Sequence, residues 1–103
     1  VRKKIYKVYV TYKTGTATNV QVKYSTDGST VFNKVFADGD NFSSNELANA
    51  GGNQWVQATL KPNTSSEANN IYSFALKFTN DNDVPDTFEI NDITIVYRLK
   101  NIK

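Results

Sequence analysis

The side chains able to do chemistry in this sequence are carboxylates, lysines, tyrosines and amides, because the 103 residues contain no histidine and no cysteine. Without imidazole there is no side chain that titrates near neutrality in its ordinary state, and no Ser-His or Cys-His nucleophile. Without thiolate or imidazole there is no ordinary zinc or iron site. Glycoside hydrolysis needs two carboxyl groups facing each other across a cleft. Glu46, Glu67 and Glu89 are scattered through the chain with no paired signature. The expectation is a protein that is not an enzyme. Two binding chemistries remain. Asp38, Asp40, Asp81, Asp83 and Asp86 offer hard oxygen ligands suited to calcium, although Asp and Asn also form turns by bonding their own backbone. Trp55, Phe42 and Tyr9 offer ring faces, and Asn53, Gln54 and Gln57 supply amides beside Trp55. Exposed rings flanked by amides are what a sugar-binding surface requires.

The elements that hold these residues read as strands. Tyr6, Val8, Val10 and Tyr12 alternate with Lys7, Tyr9, Thr11 and Lys13, the period-2 pattern of a half-buried strand. This places Tyr6 and Tyr12 on the core side and Tyr9 outside. Val20, Val22 and Tyr24 share a second face, and Asp27-Gly28 follows. Asp-Gly supplies the positive φ angles of a tight turn, so residues 20–24 and 31–36 are expected to pair antiparallel. Residues 37–53 form a long polar connection, within which Ser44-Asn45-Glu46-Leu47-Ala48 is read as one short helical turn capped by Ser44. Residues 55–60 make a strand with Val56, Ala58 and Leu60 inward, so Trp55 falls on the opposite face. The competing reading buries it, the usual fate of a large aromatic. Phe42, alone in a polar loop, reads as the ring that pins that loop to the body more than as a ligand platform. A turn-rich stretch covers residues 62–70, and Tyr72, Phe74, Leu76 and Phe78 alternate cleanly as an expected central strand.

The last strand changes phase. Phe88 and Ile90 are two apart, but the next apolar set is Ile93, Ile95, Tyr97 and Leu99. A one-residue slip turns every later side chain over unless a bulge absorbs it, so a β-bulge is expected at Asn91-Asp92. The whole chain, residues 1–103, reads as a single soluble β-sandwich module. Val1 is not a start methionine, so the sequence is treated as processed or as a piece of a larger protein.

Two segments carry a resemblance. Val20-Gln21-Val22-Lys23-Tyr24-Ser25-Thr26-Asp27-Gly28-Ser29-Thr30 resembles the hairpin of galactose-binding-like (discoidin-like) jelly rolls. Phe88-Glu89-Ile90-Asn91-Asp92-Ile93-Thr94-Ile95 resembles the final strand of those domains and of related carbohydrate-binding modules. The ending from Phe88 to Lys100 also looks like C-terminal segments of phage tail and virion structural proteins. The resemblance implies an all-β antiparallel sandwich, jelly-roll-like and incomplete at its N-terminal end. Such domains usually carry further strands before the one matched by Tyr6–Tyr12, and their loss leaves a sheet edge bare. It also implies that Asp92 can help hold a structural calcium, with Asp38 and Asp40 as further candidate ligands. No other cofactor is expected.

Charge adds little. Net charge is +2, with Arg2, Lys3, Lys4 and Lys7 at one end and Arg98, Lys100 and Lys103 at the other. Alternation leaves only Tyr9 to stack on a base, so nucleic acid is not an expected partner, and the terminal charge reads as a solvated face. No apolar run approaches the roughly 18 residues that cross a bilayer. The leading expectation is a structural, assembly-type module of a phage virion, part of a tail or tail-associated protein, contacting other virion proteins or copies of itself. The rival is a carbohydrate-binding or adhesion module at an extracellular or cell surface, using Trp55, Gln57, Asn53 and Phe42.

Overall fold

A computed structural model describes residues 2–14, 20–48, 54–64, 68–80 and 88–99. Its strands are β1 (Lys3–Thr14), β2 (Val20–Thr26), β3 (Lys34–Ala37), β4 (Phe42–Ser43), β5 (Glu46–Leu47), β6 (Trp55–Pro62), β7 (Phe74–Asn80) and β8 (Phe88–Leu99). Every pairing between them is antiparallel. The fold is all-β and sandwich-like, as the alternation predicts.

One layer is β6-β1-β8. β1 bonds β6 along one edge (Val8↔Leu60 through Lys13↔Trp55) and β8 along the other (Lys3↔Leu99 through Thr14↔Phe88). The second layer centres on β2, with β7 along the whole of one edge (Val20↔Asn80 through Thr26↔Phe74). The other edge of β2 is shared, with β5 at Gln21 and β3 at Lys23 and Tyr24. β3 then leaves β2 and pairs its far end with β6, Phe36 opposite Pro62. It therefore seams the two layers along one side. Val8, Val10 and Tyr12 of β1, Ala58 and Leu60 of β6, and Val20, Val22 and Tyr24 of β2 meet between the layers as a buried core.

Burial in β1 shows two phases. Ile5 is buried, Tyr6 is 40% exposed, and Val8, Val10, Tyr12 and Thr14 are buried again. The register explains it, because Ile5 lies opposite Tyr97 while Lys7 lies opposite Val96, leaving Tyr6 as the extra residue of a bulge. Alternation alone places Tyr6 inside. The bulge corrects that and admits Ile5 instead. In β8 the bulge stands where the phase slip puts it. Thr11 pairs with Asp92 and Tyr12 with Ile90, so Asn91 is the unpaired residue.

Turn chemistry decides two further points. Asp27 and Gly28 both have positive φ (57° and 78°), and the Ser29 N–H donates to the Thr26 carbonyl at 3.2 Å. This is the expected tight turn. The strand after it nevertheless meets β2 at only two positions, Lys23↔Val35 and Tyr24↔Lys34. The Asp27 carboxylate instead accepts the Tyr72 N–H at 2.6 Å, tying the turn to the approach of β7. The expected helical turn at Ser44–Ala48 is a hairpin. Ser44 and Asn45 both have positive φ (52° and 68°), which α-helix forbids, and they join β4 to β5 with Ser43 opposite Glu46. Asn45 then accepts the Val22 N–H through its carbonyl, docking the hairpin on β2.

The Tyr72–Phe78 alternation is real, but the strand is not central. β7 starts at Phe74, bonds β2 alone among the described residues, and leaves Tyr72 exposed beyond its end. β2 occupies the central place because its other edge is taken by β5 and β3.

Tyr12 locks the layers. Its ring is fully buried and its hydroxyl donates to the Ala48 carbonyl at 2.6 Å. Burial pushes its pKa from 10.0 up to about 12. A folded pKa above the unfolded value means that the stabilisation is complete below pH 10 and is lost as pH rises towards 12. Tyr12→Phe is expected to lower the urea-unfolding free energy by about 1 kcal/mol at neutral pH, the usual net value of one hydrogen bond. It is also expected to flatten the loss of stability that the raised Tyr12 pKa predicts for the parent chain between pH 10 and 12.

Candidate functional site

The two layers are closed on one side and open on the other. On the closed side, β3 and the segment 38–41 cover the free edge of β6. The Thr59 N–H donates to the Asp40 carbonyl at 3.0 Å, and the Asn41 amide donates to the Gln57 carbonyl at 2.8 Å. The approach is so close that a Cβ on Gly39 would stand 2.7 Å from the Thr59 carbonyl oxygen, so a side chain here would displace the segment. On the open side stand β8 and β7, each of which bonds a neighbouring strand along one edge only among the described residues.

β8 is twelve residues long, and its bulge sets which side chains face the second layer. Antiparallel partners share a face. Ile90, Ile93, Ile95, Tyr97 and Leu99 pair with Tyr12, Val10, Val8, Ile5 and Lys3, so they lie on the inner face. There they should be core. Instead they are 37–59% exposed, and among the described residues no strand of the second layer pairs beside them. Between this stripe and β7 runs an apolar groove. At one end it is closed by rings, with Phe88 6.1 Å from Tyr12 and 6.3 Å from Phe78. At the other it opens into a solvent-accessible cavity of about 190 Å³ lined by Lys3, Ile5, Phe74, Ile95 and Tyr97. A long exposed edge strand with an apolar face is a template for another strand. A run of exposed apolar side chains of this kind marks an interaction surface more often than a neutral one.

The outer face of the β6-β1-β8 layer is flat and mixed. Lys13 sits between Trp55 and Glu89, with its ammonium 5.1 Å from the Trp55 ring centroid and 3.4 Å from the Glu89 carboxylate. The next row is Gln57, Thr11 and Asp92, and the one after it Thr59, Tyr9 and Thr94. Lysines lean over rings elsewhere on β1 as well, Lys4 on Tyr6 and Lys7 on Tyr9, each about 5 Å from the centroid. Arg2 stacks 3.8 Å above Tyr72 and donates to its hydroxyl. The N-terminal cations are thus spread along strand faces over aromatic partners.

The residues expected at a ligand site separate. Trp55 is 49% exposed and shares the outer face with Gln57. Phe42 is buried, edge-on to Phe36 at 6.3 Å, so it pins the β4–β5 hairpin and its ring is withheld from any surface ligand. Asn53 lies outside the described residues, as do Asp81, Asp83 and Asp86. The three candidate calcium ligands are not brought together. Asp38 accepts the Ser44 N–H at 3.0 Å as a turn residue. Asp40 borders the far edge of β6, whereas Asp92 lies on β8, two strands beyond β6, which is roughly 14 Å away at the usual strand spacing. Among the described residues no group of three or more acidic side chains converges on one point. The residues therefore do not fit the six to eight oxygens that calcium takes.

Residue types alone do not reveal the open groove. Its signal in the sequence is the apolar set from Ile93 to Leu99, which a period-2 reading assigns to core without revealing that these side chains stay more than a third exposed. Comparison of the chain with protein-family models, curated proteins and solved structures returns no match.

Proposed function

We propose that this chain is a non-catalytic structural module that makes protein–protein contacts through the β8 edge and the groove between β7 and β8. One observation carries the reading, the five large inner-face side chains of β8 left 37–59% exposed along an edge that lacks a strand partner among the described residues. Such an edge favours an occupant that offers backbone N–H and C=O groups together with alternate apolar side chains, that is, another strand. The proposed family is the galactose-binding-like jelly roll, supported by the tight turn at Asp27-Gly28 and the bulge at Asn91. The proposed setting is a phage virion, in a tail or tail-associated protein. Its support is the likeness of the segment from Phe88 to Lys100 to the endings of such proteins. The long connection 37–53 is largely spent within the fold, as β4, β5 and the cover of β6, and so offers little to a neighbour.

The test is selection of displayed random 12-residue peptides on the isolated chain. Enriched peptides are expected to alternate apolar and polar residues and to lose binding when Ile93 and Ile95 are both changed to Lys. If selection enriches nothing, or if binding survives that double change, the contact reading is wrong.

A second reading has one observation in its favour. Trp55 is exposed on a flat face beside Gln57, with Tyr9 two rows away. This arrangement suits a sugar ring stacked on indole. Here the module would recognise a surface glycan, and Trp55→Ala would abolish specific signals on a glycan array. An array without specific signals removes this reading.

A further inference from the structure

The β8 edge makes a demand on its occupant that the chain itself can meet. Antiparallel neighbours share a face, so a strand added to β8 must place apolar side chains beside Ile93, Ile95, Tyr97 and Leu99, and polar ones beside Asp92, Thr94 and Arg98. A second β8 running the opposite way does this in every register centred on one of its own residues between Ile93 and Tyr97, because odd positions then meet odd and even meet even.

Charge chooses among those registers. Across β1, Arg98 lies opposite Lys4, a like-charge pair that disfavours the arrangement. Among the described residues Arg98 has no carboxylate partner, the one ion pair there being Lys13 with Glu89. Asp92 carries the nearest carboxylate on the same face of β8 and, among the described residues, takes only a long hydrogen bond from Thr94, 3.4 Å. Centring the pairing on Ile95 sets Asp92 of each copy opposite Arg98 of the other, twice by symmetry, and sets Ile93 opposite Tyr97. Centring on Ile93 or Thr94 gives Asp92 an uncharged partner, Thr94 or Val96. Centring on Val96 sets Asp92 opposite the sequence position of Lys100 but leaves Arg98 opposite Thr94, and centring on Tyr97 leaves Arg98 opposite Val96, so the Ile95 register is the one that gives Arg98 a carboxylate.

We propose that the occupant of the β8 edge is a second copy of this chain, joined by antiparallel β8–β8 pairing about a two-fold axis at Ile95 with Asp92–Arg98 contacts on either side. The inference rests on the contact reading above and names the partner. It joins two three-stranded layers into one six-stranded sheet, and it lays the two apolar stripes side by side. The interface is isologous and closes at two copies.

Sedimentation equilibrium of the whole chain is the first measurement, and a monomer–dimer equilibrium is expected. Asp92→Arg alone and Arg98→Asp alone each place like charges in contact twice, and each is expected to weaken the dimer by tenfold or more. The double variant D92R/R98D restores it to within about threefold of the parent. Both positions are exposed, so urea midpoints check that every variant stays folded.

Because the chain contains no cysteine, a single introduced thiol reports register. Ile95→Cys faces its own copy at the roughly 4.5–5.5 Å of directly opposed Cβ atoms. It is expected to form disulfide-linked dimers under mild oxidation much faster than the exposed control Val31→Cys. A chain that stays monomeric, a double charge variant that fails to recover, or an Ile95→Cys variant that crosslinks no faster than the Val31→Cys control overturns the proposal. A monomer that still captures alternating peptides refutes self-pairing alone, whereas a monomer that captures none refutes the contact reading with it.

Discussion

Deleting Thr11 from β1 is expected to cost several kcal/mol, enough to abolish cooperative unfolding in a small domain whose total stability is of the order of 5–15 kcal/mol. The reason is parity. Val10 and Tyr12 both face the core, and Thr11 between them pairs with Gln57 on one side and Asp92 on the other. Without it Val10 and Tyr12 become neighbours, which face opposite ways in a strand, so one half of β1 must turn over. Either Val8 and Val10 leave the core and Tyr9 enters it, or Tyr12 and Thr14 leave and Lys13 enters. Deleting Asn91 from β8 is expected to have the opposite outcome. Asn91 is the one residue by which β8 exceeds β1 between the Thr11–Asp92 and Tyr12–Ile90 pairs, so without it Ile90, Asp92 and Ile93 meet Tyr12, Thr11 and Val10 in regular alternation and every side chain keeps its face. Its urea-unfolding free energy is expected to change by less than about 1 kcal/mol, as for surface substitutions. An Asn91 deletion as damaging as the Thr11 deletion would show that the bulge does not absorb the phase slip.

Phe42→Ala is expected to destabilise by about 3–5 kcal/mol, the range for removing a buried phenyl ring. Phe42 is 2% exposed and meets Phe36 edge-on. Its backbone exchanges two hydrogen bonds with Gly39. Losing the ring therefore loosens the β4–β5 hairpin and the 38–41 segment that covers β6. Trp55→Ala, by contrast, is expected to cost less than about 1.5 kcal/mol, mainly the Lys13 contact and the half of the ring that is covered. Thermal melts of the two variants separate a structural aromatic from one free to serve a ligand. Equal shifts would contradict the assignment of Phe42 to the core and Trp55 to the surface.

How far these features are legible in the sequence depends on the range of the interaction behind them. The Asp27-Gly28 turn is local, two residues with one set of allowed dihedrals, and the sequence announces it. The Asn91 bulge is local as well, since it shows as a missing beat in the apolar alternation of a single strand. The Tyr6 bulge is harder to see because Ile5 and Tyr6 are both apolar and adjacent, so either fits the pattern and only the pairing with β8 decides. Ser44-Asn45 misleads for a related reason. Ser and Asn favour helix N-caps and positive-φ turn positions alike, and the flanking strands β4 and β5 are two residues each, too short to show a period.

Strand order is not local at all. The alternation in Phe74, Leu76 and Phe78 states that one face is apolar, and nothing in it says whether one neighbour or two will bond the backbone. Exposure of the inner face of β8 belongs to the same class. It follows from which strands lie above it, a property of the whole fold. The candidate ligand set failed to assemble for that reason too. Asp38, Asp40 and Asp92 look alike as loop or bulge carboxylates, but β6 and β1 stand between them.

The most direct test of the central claim is residue-resolved amide hydrogen exchange along β8, from Asp92 to Arg98, at two chain concentrations. In a strand bonded along one edge only, every second amide points to the neighbour and the rest point outward. At the lower concentration the predicted result is therefore an alternation, slow where the N–H bonds β1 and fast where it faces the open edge. At the higher concentration the fast set is predicted to slow as a second strand covers it. Uniform protection of all these amides at a concentration where sedimentation shows the chain to be monomeric would mean that the edge is already paired within one copy, and that result would contradict the account.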